Sequence, residues 1–445
     1  MIRKADLAFM RQALALAEKG RGHTRPNPMV GAVLVRGGRV LARGFHRRAG
    51  LPHAEIETLA KKGVRTHGAT LYVTLEPCCH LGRTGPCTQA IEAAGIRRVV
   101  VGCCDENPLV SGRGILQLRG AGIRVDVGCL GEECRRLNRT FFKWIRARRP
   151  WVTLKVASTL DGFISSLEAN PRDPSTRDVT GKLARAHGHI LRAQHDAVLV
   201  GVGTVLTDNP RLTVRLEDRN SASMPVSVSV SGSGSDQRKA AGVVDLRERE
   251  RVVVPQPLSA TRVPPTNSLT PSPARPATRE PAPLRVVLDG HLRTPPSARI
   301  IRQLGTPPVL IIGAQPRQGA RDAASRGKRE QALRRAGAEV LLLPADRQGR
   351  VPLLSVLRVL AERGIQSLLV EGGSQVHGEF VSARLVDSVA FFFAPRLVGK
   401  GRPIVEGRGL DWRNPLRLGP FEVRAIGEDL LLQADVLLPK ARRRS

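Results

Sequence analysis

Apolar positions along the chain predict strands and helices in alternation. From Asp6 to Lys19, Leu7, Met10, Leu14 and Ala17 recur at helical spacing, and Gly20 stands where a C-cap belongs. Two apolar runs, Val30 to Val35 and Val40 to Phe45, flank Gly37-Gly38 and predict a hairpin. A helix beginning near His53, a strand from Thr70 to Leu75, a helix from about Thr88 to Ala94 and a strand from Arg98 to Gly102 follow. This order is that of an α/β layer domain.

A second start falls at Pro150, where WVTLKVASTLDG opens a strand and turn after the basic run Lys143 to Arg149. Strand-like segments Ala197 to Val202, Arg285 to Leu288, Val309 to Gly313, Glu339 to Leu343 and Ser367 to Glu371 then alternate with helical stretches. The expected domains are 1–149 and 150–440, the second interrupted by 217–283. That segment is rich in Ser, Pro, Arg and Ala and has no aromatic residue, so disorder is expected there, with Val226 to Val230 and Val252 to Val254 as candidate short strands.

At 445 residues the chain exceeds what a single core usually fills. No stretch approaches the roughly 18 apolar residues of a membrane helix, and the N-terminus carries charge in its first turn. The expectation is a soluble cytoplasmic protein with no targeting segment. Lysine and arginine number 71 against 39 acidic residues, a net charge of +32. A polyanionic partner is one reading of that excess. Its spread along the whole chain and an aromatic content of 3% favour phosphate-bearing small ligands over nucleic acid.

All seven cysteines precede residue 135, a clustering that points to metal or catalysis. His53-Ala54-Glu55 at a helix start, Glu76-Pro77-Cys78 after a strand, and Cys87 opening a helix supply one imidazole and two thiolates. That set suits a tetrahedral zinc with an open fourth position. Glu55, two residues from a ligand, is placed to take a proton from water and pass it to a leaving amine, as hydrolytic deamination requires. A structural zinc closed by Cys79 or His80 is the alternative; the H-x-E and P-C pairing favours catalysis.

Those residues lie in PNPMVGAVLV (Pro26 to Val35), GFHRRAGLPHAE (Gly44 to Glu55) and TLEPCCHLGRTGPC (Thr74 to Cys87). The three segments resemble the bifunctional riboflavin-biosynthesis deaminase-reductase family. So do LKVASTLDG (Leu154 to Gly162), LRAQHDAVLVGVGTVLTDNPRLTVR (Leu191 to Arg215) and VEGGSQVHGEFV (Val370 to Val381) in the second half. Cytidine and tRNA-adenosine deaminases resemble the chain in HAE but carry P-C-x-x-C, whereas eight residues here separate Cys78 from Cys87.

The resemblance implies a cytidine-deaminase-like zinc domain followed by a dihydrofolate-reductase-like domain. The first would deaminate 2,5-diamino-6-(5-phosphoribosylamino)pyrimidin-4-one, and the second would reduce ribosyl to ribityl with NADPH. By the same resemblance Thr176, Arg192, Leu212, Arg215 and Glu371 would meet substrate. Ala157, Asp178, Thr204, Asp208, Gly290, Gly373, Ser374, Gln375, Val376, His377, Gly378 and Glu379 would meet NADPH, and a homo-oligomer is expected. The strand-to-helix turn after Glu371 offers free N–H groups to a cofactor phosphate. Arg192 and Arg215 suit a substrate phosphate, and Lys155 suits substrate steering or charge stabilisation. Asp178 stands where relatives often carry tryptophan, and an acid there would repel a phosphate. Gly201-Val202-Gly203 lacks the third glycine of a dinucleotide fingerprint, so no Rossmann domain is expected. The competing function is a tRNA deaminase whose basic C-terminal half grips RNA.

Overall fold

A computed structural model describes residues 2–80, 85–167, 178–215, 282–302, 308–316 and 322–437. The 217–283 insert with its two candidate strands lies almost wholly outside the described residues, as does Thr176.

The first sheet contains β1 (Gly31–Arg36), β2 (Arg39–Phe45), β3 (Thr70–Leu75), β4 (Arg98–Cys103) and β5 (Arg124–Val127), in the order β2-β1-β3-β4-β5. β1 pairs antiparallel with β2 and β3, and β3, β4 and β5 run parallel. Gly37 and Gly38 turn the β1–β2 hairpin with φ of 57° and 77°, a left-handed pair that side chains rarely adopt. Val99, Val100 and Val101 of β4 are fully buried, the continuous apolar run of a strand covered on both faces. Helices α1 (Lys4–Glu18), α2 (Ala54–Leu59), α3 (Cys87–Ala93), α4 (Arg113–Gly120), α5 (Gly131–Leu137) and α6 (Arg139–Ala147) surround it. α1 crosses β1 at Gly31, where a Cβ would stand 2.0 Å from the Ala13 carbonyl oxygen. Gly20 follows α1 as expected but does not cap it left-handed. Lys19 is the cap in right-handed geometry, and a Cβ on Gly20 would meet the His46 carbonyl at 2.8 Å.

The second sheet begins at Trp151, one residue past the expected start. Its members are β6 (Trp151–Thr159), β8 (Ala197–Gly201), β9 (Leu284–Leu288), β10 (Leu310–Ala314), β11 (Glu339–Leu343), β12 (Ser367–Val370), β13 (Ser388–Ala394), β15 (Glu422–Ile426) and β16 (Asp429–Asp435). Their order is β11-β10-β9-β8-β12-β6-β13-β16-β15; β7 (Phe163–Ser165) and β14 (Arg402–Pro403) pair separately. Strands from β11 to β13 run parallel, and β16 and β15 add an antiparallel edge. Helices α7 (Lys182–Gln194), α8 (Val202–Asp208), α9 (Ala323–Arg335), α10 (Leu353–Glu362) and α11 (Ser374–Ser382) flank the sheet. The chain steps outward from β8 through β9 and β10 to β11, then returns to place β12 between β8 and β6. Such a switch point opens a crevice at the carboxyl ends of the strands. Among the described residues no helix is long and apolar enough to cross a membrane.

Candidate functional site

Two separate clusters carry chemistry. In the first, His53 is the N-cap of α2, Cys87 is the first residue of α3, and Cys78 follows β3 in the loop between them. The His53 Nδ1 lies 3.3 Å from Cys87 Sγ and 3.6 Å from Cys78 Sγ, and one ligand atom from each of the three falls within 4.8 Å of the others. A tetrahedral zinc with ordinary bond lengths sets nitrogen and sulfur ligands about 3.5 Å apart, so the three donors fit the metal as they stand. Among the described residues Cys79 and His80 do not join them, and the three donors leave a fourth position for water or substrate. The α3 amino terminus donates from the Cys87 N–H to Cys78 Sγ at 3.4 Å. Hydrogen bonds from Cys87 and His53 hold the Cys78 thiol down, to about 4. The same bond and burial push Cys87 up.

Glu55 occupies the first turn of α2 and is 3% exposed. Burial, and after it the charge of Cys78, push its carboxyl up to about 7. Glu76, which the sequence groups with Pro77 and Cys78, has a different task. Its buried carboxylate accepts the backbone N–H groups of Asp105, Gly112, Gly114 and Ile115, tying the loop after β3 to the start of α4.

The second cluster lies just past the carboxyl end of β12, beside the middle of β6. Glu371 follows β12 and accepts two bonds from Arg192 of α7, Nε to Oε1 at 2.6 Å and Nη2 to Oε2 at 2.8 Å. Lys155 of β6 stands 3.8 Å from the same carboxylate and 5.7 Å from the centre of the Phe392 ring. Burial works to raise Glu371, but Arg192 and Lys155 together bring its carboxyl down to about 2. Burial lowers Lys155, against the pull of Glu371. The Arg192 fork is therefore committed to Glu371 instead of standing open to a phosphate, with a further bond to the Thr213 carbonyl. Arg215 is exposed, and its backbone N–H reaches His189 Nδ1. Leu212 is a buried core residue held at φ 52°, a left-handed backbone unusual for leucine.

Of the remaining expected cofactor contacts, Thr204 and Gly373 are brought together, the Gly373 N–H donating to Thr204 Oγ1 at 3.1 Å. The space where a Cβ would stand on Gly203 or Gly290 is free of protein atoms, which leaves the ends of β8 and β9 open to a ligand. Ala157 lies further along β6, half-buried, and Asp208 ends α8. The run 373–379 divides by helical geometry. Gln375 is exposed, while Ser374 donates to the Pro403 carbonyl and His377 Nδ1 to the Ile404 carbonyl. Val376 packs toward Gly201, Gly378 abuts the Glu406 backbone, and Glu379 pairs with Arg350. Within the run, Gln375 and Glu379 are thus the exposed residues, and Ser374, His377 and Gly378 are buried. Asp178 lies 3.5 Å from Arg185, so the repulsion expected of an acid there meets a countercharge.

Sequence reasoning missed the braces behind the first cluster. His46 is 2% exposed, its ring packs edge-on to His53 with centroids 5.2 Å apart, and Asn27 bonds to it. Both stand within segments that carry the family resemblance, Asn27 in PNPMVGAVLV and His46 in GFHRRAGLPHAE, but nothing in the letters showed that they touch.

Residues 150–432 match the family described as RibD C-terminal domain, and residues 3–103 match the cytidine and deoxycytidylate deaminase zinc-binding region. The riboflavin biosynthesis protein RibD of Aquifex aeolicus is 36% identical over 97% of this chain and 99% of its own length. That of Escherichia coli is 33% identical over 96% and 98%. Acinetobacter baumannii RibD superposes with a TM-score of 0.72 at 30% identity, covering 98% of this chain and 99% of that one. A Thermotoga maritima diaminohydroxyphosphoribosylaminopyrimidine deaminase/5-amino-6-(5-phosphoribosylamino)uracil reductase gives 0.69 at 32% identity over 97% and 99%.

Proposed function

This chain belongs to the RibD family and is a bifunctional deaminase and reductase of riboflavin biosynthesis that uses zinc and NADPH; from that premise we propose which residues carry each step. Residues 1–149 form the deaminase and 150–440 the reductase, with the 217–283 segment as an insert in the second. The substrate of the first is 2,5-diamino-6-(5-phosphoribosylamino)pyrimidin-4-one, and its deaminated product is the substrate of the second. The observation that carries the deaminase assignment is the set His53, Cys78 and Cys87, three donors at zinc-ligand spacing with a buried carboxyl two residues from one of them.

His53, Cys78 and Cys87 hold the metal. When bound, zinc acidifies water at the reacting carbon, and NADPH supplies hydride to C1 of the opened ribosyl group. Glu55 Oε holds the proton taken from that water and delivers it to the departing amine, a role favoured by a carboxyl poised near neutrality. The burial of Glu55 keeps bulk water from exchanging that proton.

In the reductase, the first turn of α11 with Gly373, Ser374 and Gln375, together with Thr204, Asp208, Gly290, Ala157 and Asp178, receives NADPH. His377, Gly378 and Glu379 act behind that turn by fixing α11 against the segment 403–406 and Arg350, and Val376 by packing toward Gly201. Glu371, Leu212, Thr176 and Arg215 meet the substrate, Arg215 at its phosphate. Arg192 fixes the Glu371 carboxylate, and Lys155 presents a cation beside it. The protein mainly orients two reactants here, which is where most of the rate gain of a hydride transfer can arise.

The chain works as a cytoplasmic homo-oligomer on a small phosphorylated substrate. A tRNA deaminase is not favoured, since the relatives match through both halves. A coupled assay on the full chain, reading ammonia release and NADPH oxidation separately, tests the assignment. Both signals are expected. Ammonia without NADPH oxidation would overturn the reductase residues, and NADPH oxidation with the deaminated substrate but without ammonia release would overturn Glu55.

A further inference from the structure

We propose that the reductase half positions the deaminase site, acting through residues 24–29, with Gln366 and Asp196 as positioning residues for deamination. The inference rests on His53 and Glu55 serving the deaminase as assigned above.

The contacts form one continuous series. Gln366 Nε2, at the amino end of β12, donates to the Pro26 carbonyl at 2.6 Å. Asp196, beside β8, is ion-paired with Arg25, and Arg25 Nη2 also donates to the Gln194 carbonyl at 2.9 Å. The far end of the segment is fixed by Asn138, which exchanges two bonds with the Met29 backbone at 2.8 and 2.9 Å. Between these anchors Asn27 Nδ2 reaches His46 Nε2 at 3.1 Å, and His46 Nδ1 lies 3.1 Å from the Pro52 carbonyl. Because a carbonyl can only accept, Nδ1 carries the proton and Nε2 accepts from Asn27, so both bonds specify one ring orientation. Pro52 precedes His53, the N-cap of α2, and the His46 ring packs edge-on to that of His53. Releasing Pro26 from Gln366 therefore frees Asn27, then His46, then the start of the helix that bears His53 and Glu55.

The series is insulated from reduction. Gln366 and Glu371 stand at opposite ends of β12, about 16 Å apart at strand rise. A change at Gln366 leaves the reductase crevice untouched.

The test uses the full zinc-loaded chain with Gln366→Met, which keeps side-chain volume but removes the donor, with Arg25→Met, and with the two combined. Ammonia release, NADPH oxidation with the deaminated substrate, and zinc transfer to a chromogenic chelator are read on each. Loss of support behind a metal ligand is expected to lower the double variant's deamination kcat ~10–100-fold and to speed zinc transfer comparably. NADPH oxidation stays within about twofold, as expected when the altered groups lie remote from its reactants. Arg25→Lys, which keeps the charge beside Asp196, restores part of the loss. Unchanged deamination and zinc transfer in the double variant would overturn the proposal. So would an equal loss of both reactions in Gln366→Met, the mark of a merely structural role. If the unaltered chain released no ammonia, the deaminase assignment would fall, and the zinc-transfer readings would still decide the coupling.

Discussion

Replacing Glu371 by glutamine removes the negative charge held between two half-buried cations, Arg192 and Lys155. The carboxyl has an ordinary value of 4.5 and sits at about 2 in the folded chain. At ~1.4 kcal/mol for each pH unit, the charged form contributes about 3 kcal/mol to folding. The side chain is 6% exposed, so solvent screens little of this. Because the folded value lies below the unfolded one, the contribution is complete above about pH 4.5 and is lost as pH falls toward 2. Glutamine resembles the protonated acid. It can accept from one arm of Arg192, but its amide sets a donor against the other, and Lys155 loses its countercharge.

Urea unfolding followed by tryptophan fluorescence reads the effect, since Trp151 lies on β6 in the same sheet. With a slope near 3 kcal/mol per molar, the midpoint should fall by about 1 M at pH 7. The gap between the two proteins should close as the pH is lowered from 4.5 to 2. Equal midpoints at pH 7, or a gap that persists in acid, would refute the account of Glu371 as a carboxylate held charged by Arg192 and Lys155. The same variant should lower NADPH oxidation at least tenfold, since the side chain that orients substrate no longer has a fixed position.

Glu55→Gln should reduce ammonia release by ~10²–10⁴-fold, the usual worth of a general acid–base group, while zinc content and NADPH oxidation with the deaminated substrate stay unchanged; retained turnover would refute the role. Stripping zinc with a chelator should abolish ammonia release and leave that NADPH oxidation intact, as separate assays on one sample would read. Gly378→Ala places a Cβ 1.8 Å from the Glu406 carbonyl oxygen, backbone against backbone. An overpacking loss of about 1–3 kcal/mol and weaker NADPH binding by fluorescence titration are expected. Asp6→Ala removes the acceptor of Arg98 Nη1, Arg98 Nη2 and the Tyr72 hydroxyl within the first sheet's packing. Breaking such a buried pair costs about 3–5 kcal/mol, which thermal unfolding would register.

The zinc cluster was legible because its signal is local: ligand types, their order and the intervening strand and helices are all written within 35 residues. Strands were legible where the letters make a continuous apolar run, as at Thr70–Leu75, buried along nearly its whole length, and at the edge strand Glu339–Leu343, and in both the bounds match the structure. The antiparallel edge was not anticipated. Leu430, Leu431 and Leu432 of β16 are uniformly apolar although Leu430 is exposed and Leu431 buried, so the alternation that marks a half-buried strand is absent from the letters. At the second site the sequence identified Arg192 and Glu371 but not that they face each other, because their 179-residue separation is closed only by the sheet. The Gln366 contact with Pro26 spans 340 residues, and Gln366 lies in none of the segments that carry the resemblance.

The two ends of the second sheet meet different demands. Its carboxyl ends must stay open, since the crevice at the switch point is where ligands enter. Its amino ends present N–H groups that burial would leave unsatisfied, and Asp196 accepts from the N–H groups of Gln366 and Ser367 and from the Ser367 hydroxyl. That solution creates a buried carboxylate, 8% exposed, which burial pushes toward the neutral form. Arg25, carried by the N-terminal half, supplies the opposing charge. Completing the amino end of the second sheet therefore draws in the segment that braces His46. The side chains that close the amino end of the second sheet are thus also those that reach the deaminase segment, while the crevice at the carboxyl ends stands apart from them.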